Sequence, residues 1–351
     1  MIKYYTRACN FYYGRISKEK IKKKISLPLN GSKLISFDTI ELITRKKNKL
    51  IKIKDIKNLS SSLRKKIFKN LKLITKKKNI KNLNFKSYPL LMGILNVTPD
   101  SFSDGGKYLK TNLANKHIKK LKKDGADIID IGGESTRPNS NTVNSIVEWN
   151  RIKSKLKFAK KNNIFVSLDT RKSLVLKNSL PLKIDLLNDV SGLNYDYRII
   201  NILKKSKIPF VLHHMRGTPK TMQNNPKYKN VLLDIYDFFE KKIKFIRDNK
   251  IKHKNIILDP GIGFGKNLKH NITLINKISI FHTLGFPVML GISKKRFIKD
   301  ISVNNDSKER IGGTTSSSIY AYLQGVQILR VHDVNEIKQA MKVFTKIILN
   351  K

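Results

Sequence analysis

From residue 88 onward the chain alternates between short apolar runs and longer stretches in which apolar positions recur at helical spacing among lysines. The runs are LLMGILNV (90–97), ADIIDIGG (126–133), NIFVSLDT (163–170), IDLLNDVSG (184–192), IPFVLHHMRG (208–217), NIILDPG (255–261), FPVMLGIS (286–293) and GVQILRVHD (325–333). Each is too short for a buried helix and too continuously apolar for a strand with one wet face. Each therefore predicts a strand covered on both sides. The segments between most of them, for example 113–124 and 228–247, are amphipathic and long enough to be helices. Strands alternating with helices imply a parallel sheet. Roughly eight such units in about 260 residues fit the α/β class, and within it a (β/α)8 TIM barrel. A doubly wound sheet would want fewer strands and a Gly-x-Gly-x-x-Gly after the first, which is absent.

Residues 1–86 follow another rhythm. LITRKKNKLIKIKDI (42–56) alternates apolar and basic residues like a hairpin or strand, 59–74 reads as a short amphipathic helix, and the Asn- and Lys-rich 76–86 reads as a linker. No chemical constellation falls here. The expected organisation is a small N-terminal accessory segment of unassigned purpose (1–86) followed by the barrel (87–351). No tandem repeat at a fixed period is present.

A barrel should carry its chemistry just after its strands, at the C-terminal mouth. The runs are followed by Asn96, by Glu134 with Thr136 and Arg137, by Asp169, by Asn188 with Asp189, by His213 with His214, by Asp259, by Ser293 with Lys295, and by Arg330 with His332. Taken singly, each of these reads first as a helix cap. Eight in succession point to a site. The sharpest is IILDPGIGFGK (256–266), where an apolar run delivers Asp259 into a turn with Gly261, Gly263 and Gly265. Such a turn brings backbone N–H groups close to a ligand, although Asp-Pro-Gly alone is ordinary turn chemistry. A Walker phosphate loop is excluded, since the glycine spacing is wrong and Asn267 follows Lys266.

Composition changes this picture little. The 73 basic against 25 acidic residues give a formal charge of +48, which would ordinarily suggest nucleic acid or an anionic membrane. The excess is mostly lysine spread over the whole chain, without the arginine and aromatic interleaving of a base-reading surface. It reads as compositional drift, with a side benefit in attracting an anionic substrate. The single cysteine, Cys9, allows no intrachain disulfide and suits a reducing compartment. No apolar stretch approaches the ~18 residues of a membrane span, and no secretory signal stands at the N-terminus. The expectations are a cytoplasmic location, no membrane and no nucleic acid, with an organellar transit peptide left open.

Asp169, Asp259 and Asn188 offer acceptors and an amide suited to a planar heterocycle rich in N–H groups, and Lys295 a donor for a carbonyl. Arg330 and His332, near the last strand, form a cationic pair suited to a phosphate or pyrophosphate. His213, His214 and the carboxylates lack the spacing of a zinc cage. Mg2+ bridging a substrate pyrophosphate would need few protein ligands.

At this level the chain resembles the dihydropteroate synthase family, the folate-pathway enzymes targeted by sulfonamides. NVTPDSFSDGG (96–106) and GGESTRP (132–138) look like its signature segments, and SLDT, LNDVSG, DPGIGFGK, ISKK and RVHDV resemble later ones, in uninterrupted order from about residue 89 to 344. The resemblance implies that Asp169, Asn188, Asp259 and Lys295 hold a dihydropterin ring, with Met215 against its face. It implies that Asn96, Arg330 and His332 engage the pyrophosphate, Asn96 also meeting Mg2+. Thr136, Arg137, Pro138, Phe264 and Ser293 would lie near p-aminobenzoate, and the loops at 98–107 and 135–140 would be mobile. The implied reaction condenses 6-hydroxymethyl-7,8-dihydropterin diphosphate with p-aminobenzoate; since an electron-rich pterin can share positive charge on its exocyclic methylene, SN1-like loss of diphosphate is the expected course. Asp100, Ser101 and Phe102 would close over the reacting centre, and Lys295 is counted with them as catalytic. A homodimer is expected from the same likeness. Departures are small: Lys294 stands where an arginine is frequent, and Arg171 with Lys172 varies the helix start after Asp169.

Two rival readings stay open. A related pterin-binding barrel that presents methyltetrahydrofolate to a corrinoid would lack Arg330-Val331-His332 and the NVTPDSFSDGG loop. A basic nucleic-acid-binding protein would leave the strand-end residues without purpose.

Overall fold

The N-terminal residues form an antiparallel sheet, in the order β1 (Tyr5–Tyr13), β3 (Ser32–Ile43), β2 (Leu27–Leu29), with β4 (Asn48–Lys52) also paired to β3. The description comes from a computed structural model covering residues 2–85, 89–99, 110–136, 140–251, 253–303 and 306–349. The β3–β4 hairpin and the helix Ser61–Thr75 match the alternation and the amphipathic pattern of 42–74. β1 and most of β3 leave a weaker trace in the sequence. Asn10 sits at φ 53 and interrupts the two-residue alternation of β1. This sheet is fastened to the barrel by polar contacts. The Tyr5 hydroxyl donates to Asp237 at 2.9 Å, Arg45 pairs with Asp234 and Asp237, and Lys277 pairs with Glu41 at 2.6 Å.

All eight apolar runs are strands: β5 (Leu90–Asn96), β6 (Ile128–Gly132), β7 (Val166–Asp169), β8 (Leu186–Asp189), β9 (Phe210–His213), β10 (Ile256–Asp259), β11 (Met289–Leu290) and β12 (Ile328–Val331). They pair in parallel in the order β10-β9-β8-β7-β6-β5-β12-β11. A parallel bridge between Leu258 and Val288 joins β10 to the entry of β11 and closes the ring. The expected (β/α)8 barrel is the observed architecture.

Side chains alternate across a strand, and that parity decides where everything else goes. One set, with Leu91, Leu95, Ile129, Leu168, Leu187, Leu212 and Leu258, is buried in the large core that takes in the surrounding helices. The other set, with Leu90, Met92, Ile128, Leu186, Val211, Ile257, Met289 and Ile328, forms a separate cluster filling the lower barrel. Continuing that inward parity upward gives Asp130, Asp169, Asn188, His213, Asp259, Arg330 and His332. The strands are apolar at their roots and polar at their tips.

Residues 76–85, linker-like in composition, do more than connect. Ile80 is buried in the interior barrel cluster, and Leu83 and Phe85 pack on it from outside. A cavity of about 280 Å³ lies at this closed end, between Gly31, Lys78 and Gln327, away from the strand tips. Among the described residues, no helix is long and apolar enough to cross a membrane.

Candidate functional site

The inward residues at the strand tips form one hydrogen-bonded set. Arg330, on β12, donates from Nε to Asp130 Oδ2 at 2.7 Å and from Nη2 to Asp169 Oδ2 at 2.9 Å. Asn188 Nδ2 donates to the same Asp130 oxygen at 3.0 Å. Four strands, β6, β7, β8 and β12, are thereby tied together inside the barrel. Asp130 was not legible as a site residue: it sits within a strand, ahead of the tips. Its signal is a charged side chain in an otherwise apolar run, which in a barrel needs a buried partner.

Electrostatics follow from this crowding. Burial pushes the Asp169 carboxyl well above the usual carboxylate range, nearby Asp130 adds to the rise, and Arg330 opposes both. Burial acts to weaken the charge on Arg330, but Asp130 and Asp169 outweigh it and hold its pKa above the ordinary value. Asp130 Oδ1, Asn188 Oδ1 and Ser167 Oγ are buried without a hydrogen-bond partner. Orphaned acceptors of this kind are costly unless a ligand supplies donors.

Asp259 ends β10, and its Oδ1 accepts from the Gly261 amide at 2.8 Å. Burial raises its pKa to about 6, against the pull of that amide and of Lys295. The glycine turn after it is required by geometry. Gly261 has φ 70, and a Cβ there would lie 2.0 Å from the His214 carbonyl oxygen. Lys295 Nζ stands 4.2 Å from the centre of the Phe264 ring. Enclosure, with Arg330 adding to it, lowers the Lys295 pKa to about 8.

At the neighbouring tips, Ser293 Oγ and His332 Nδ1 are 3.0 Å apart, and the His332 amide donates to the same hydroxyl at 3.2 Å. Lys294, at φ 57, pairs with Asp333 at 2.9 Å, so the lysine standing in place of a frequent arginine orients the segment beside His332. Asn96 and Thr136 are half-buried at the ends of β5 and beyond β6, and Met215 is half-buried two positions past β9. Asp100, Ser101, Phe102, Arg137 and Pro138 lie outside the described residues, as do most of the loop at 98–107 and the centre of that at 135–140.

Several strand-end residues are scaffold. Asp189 accepts from the Ser191 amide and hydroxyl and from the Leu193 amide, shaping its own loop. His213 Nδ1 lies 2.8 Å from the Val190 carbonyl oxygen, and burial keeps both His213 and His214 well below the usual imidazole range. Lys266 has no role in the sequence pattern beyond its part in excluding a Walker loop. It is buried, donates to the Phe264 carbonyl at 2.8 Å and reaches His214 Nδ1 at 3.1 Å, bracing the glycine turn from behind. Burial lowers its pKa to about 7. Among the described residues, no group of three or more His, Cys, Asp or Glu is placed to hold a metal ion.

The set suits a flat, N–H-rich ligand deep in the barrel and an anion at its rim. Residues 92–332 match the family described as pterin binding enzyme. The dihydropteroate synthase of Escherichia coli (strain K12) is 38% identical over 258 residues, 73% of this chain and 91% of that protein. The Yersinia pestis dihydropteroate synthase, solved with a sulfonamide drug complex, superposes with a TM-score of 0.74 at 35% identity over 78% of this chain and 99% of that one. The Thermus thermophilus enzyme in complex with 4-aminobenzoate gives 0.67 at 33% identity over 76% and 96%.

Proposed function

The chain belongs to the dihydropteroate synthase family, and from that premise we propose how its own residues join 6-hydroxymethyl-7,8-dihydropterin diphosphate to p-aminobenzoate, giving 7,8-dihydropteroate and diphosphate. The observation that carries the assignment is the convergence of Asp130, Asp169, Asn188 and Arg330 inside one barrel, with buried acceptors on Asp130 and Asn188 left without a partner.

Asp169, Asn188 and Asp259 accept from the N–H groups of the pterin, Lys295 donates to its carbonyl, and Met215 covers a face. Asp259 is the strongest single anchor, because an enclosed carboxylate facing an amino-pyrimidinone edge forms paired, charge-assisted hydrogen bonds. Arg330 and His332 meet the diphosphate. Arg330 bridges the two halves of the substrate, held by Asp169 on one side and turned toward phosphoryl oxygens on the other.

The chemical step breaks the bond between the exocyclic methylene carbon and the diphosphate oxygen. The electron pair leaves with the diphosphate, and the pterin shares the resulting positive charge. The p-aminobenzoate nitrogen then forms the new C–N bond and loses one proton. No strong base is needed, since a neutral arylamine is already nucleophilic. Cationic side chains aimed at the leaving group supply the main stabilisation. Asp100, Ser101 and Phe102 exclude water, while Thr136, Arg137, Pro138, Phe264 and Ser293 receive p-aminobenzoate.

Asn96 carries the case for Mg2+. It is half-buried at the tip of β5, the strand paired with β12, and one neutral oxygen suits an ion held mainly by substrate phosphates and water. Bound there, Mg2+ would neutralise part of the departing charge. Residues 1–86 form an accessory unit to a barrel at 87–351, and a homodimeric, cytoplasmic enzyme completes the reading. Asp259→Ala tests it: pterin diphosphate binding, followed by calorimetry, should disappear, and unchanged affinity would refute the pocket.

A further inference from the structure

Beside the pterin pocket lies a buried ionic cluster that the reaction above does not use. Glu134, just past β6, accepts from Arg171 Nε at 2.8 Å through Oε2, and from Lys172 Nζ at 2.8 Å and the Val143 amide at 2.9 Å through Oε1. Lys172 also pairs with Glu148 at 2.5 Å. Arg171 extends further, donating from Nη2 to Thr142 Oγ1 at 3.3 Å, with its guanidinium 4.1 Å from the centre of the Tyr195 ring. Near the same foot, Ser140 Oγ donates to the Ser135 carbonyl at 2.7 Å.

The two cations divide the labour. Lys172 ties Glu134 to Glu148 on the helix Ser145–Lys161, a contact internal to the scaffold. Arg171 joins the segments that follow β6, β7 and β8. It grips the segment after β6 near both ends, at Glu134 and at Thr142, and rests on Tyr195 beyond β8. A planar guanidinium can meet a carboxylate, a hydroxyl and a ring face at once in one orientation, which an ammonium cannot. Arg171 is 4% exposed, so this orientation is fixed by packing.

We propose that Arg171 is a positioning residue for the arylamine substrate: by holding both feet of the segment after β6, it sets Thr136 where p-aminobenzoate must be received. The proposal rests on the reading of Thr136 as part of that subsite. It assigns Arg171 no contact with either substrate.

Steady-state kinetics on the full chain separates this role from a merely structural one. Arg171→Ala leaves Glu134 its Lys172 and Val143 partners. It should raise KM for p-aminobenzoate roughly tenfold, the order of effect expected when a positioned group is displaced, with KM for the pterin diphosphate within about twofold. Arg171→Lys, keeping only the charge, should fall between. If Arg171→Ala does not fold, Thr142→Val removes only the outer bond and should raise the p-aminobenzoate KM alone by about threefold. An unchanged p-aminobenzoate KM, or both KM values rising together, overturns the proposal. Thr136→Ala tests the underlying reading separately. A normal p-aminobenzoate KM there refutes the subsite and the proposal with it, whereas a raised value beside a normal one in Arg171→Ala refutes the positioning alone. The expected double variant is no worse than Thr136→Ala, and strict additivity would contradict a route through Thr136.

Discussion

Arg330 Nη2 lies 2.9 Å from Asp169 Oδ2 and so joins the residue assigned to the diphosphate with one assigned to the pterin ring. The two are 161 residues apart in sequence and adjacent in space. The same guanidinium holds Asp130, whose carboxylate is fully buried. Two enclosed acids depend on one cation.

Arg330→Met should therefore cost stability as well as turnover. Removing one partner of a buried ionic set leaves uncompensated charge, and a loss of about 3 kcal/mol is expected in urea unfolding. A variant that is inactive but of wild-type stability would show that the acids do not need Arg330.

Asp259→Asn should move stability and binding in opposite directions. The folded carboxyl titrates near 6, above its unfolded value, so folding favours the protonated form. The resulting penalty is absent below the unfolded pKa, grows as pH rises between about 4 and 6, and is full above that. At pH 8 the isosteric amide should stabilise the fold by up to about 3 kcal/mol while pterin diphosphate binding is lost. Thermal melts at pH 4 and pH 8 check it: equal stabilisation at both would contradict the assignment. In the unsubstituted protein, pterin affinity should fall as pH drops through about 6.

Gly261→Ala should damage the site through the backbone. The new Cβ would strike the His214 carbonyl oxygen in a left-handed conformation that alanine resists, so a loss of about 2 kcal/mol or more is expected. Pterin affinity should fall with it, and a variant matching wild type in both would mean the turn has another low-energy shape.

Ile80→Ala tests whether the stretch before the barrel is structural. Ile80 is buried among the interior residues at the closed end, and truncation should cost about 2–4 kcal/mol with the mouth chemistry intact. A negligible cost would return 76–85 to the status of a linker.

The barrel was legible because each strand is a short apolar run with a polar tip, a pattern local enough to read from neighbours. The tips were legible for the same reason. Asp130 was not, since its role depends on Arg330, 200 residues away, and strand parity alone cannot name a partner. The Glu134, Arg171, Lys172 and Glu148 cluster was hidden likewise: lysine is so common here that a buried one looks like all the others. The N-terminal sheet was only half visible, because Asn10 breaks the alternation of β1 and β3 shows its period clearly only near the β4 hairpin.

The most direct test of the convergent mouth is to supply both substrates with Mg2+ and follow diphosphate release against 7,8-dihydropteroate formation, in wild type and in Asp259→Ala. The account predicts one diphosphate for each dihydropteroate in wild type, and neither product above background in the variant. Equal turnover by the two proteins would contradict it.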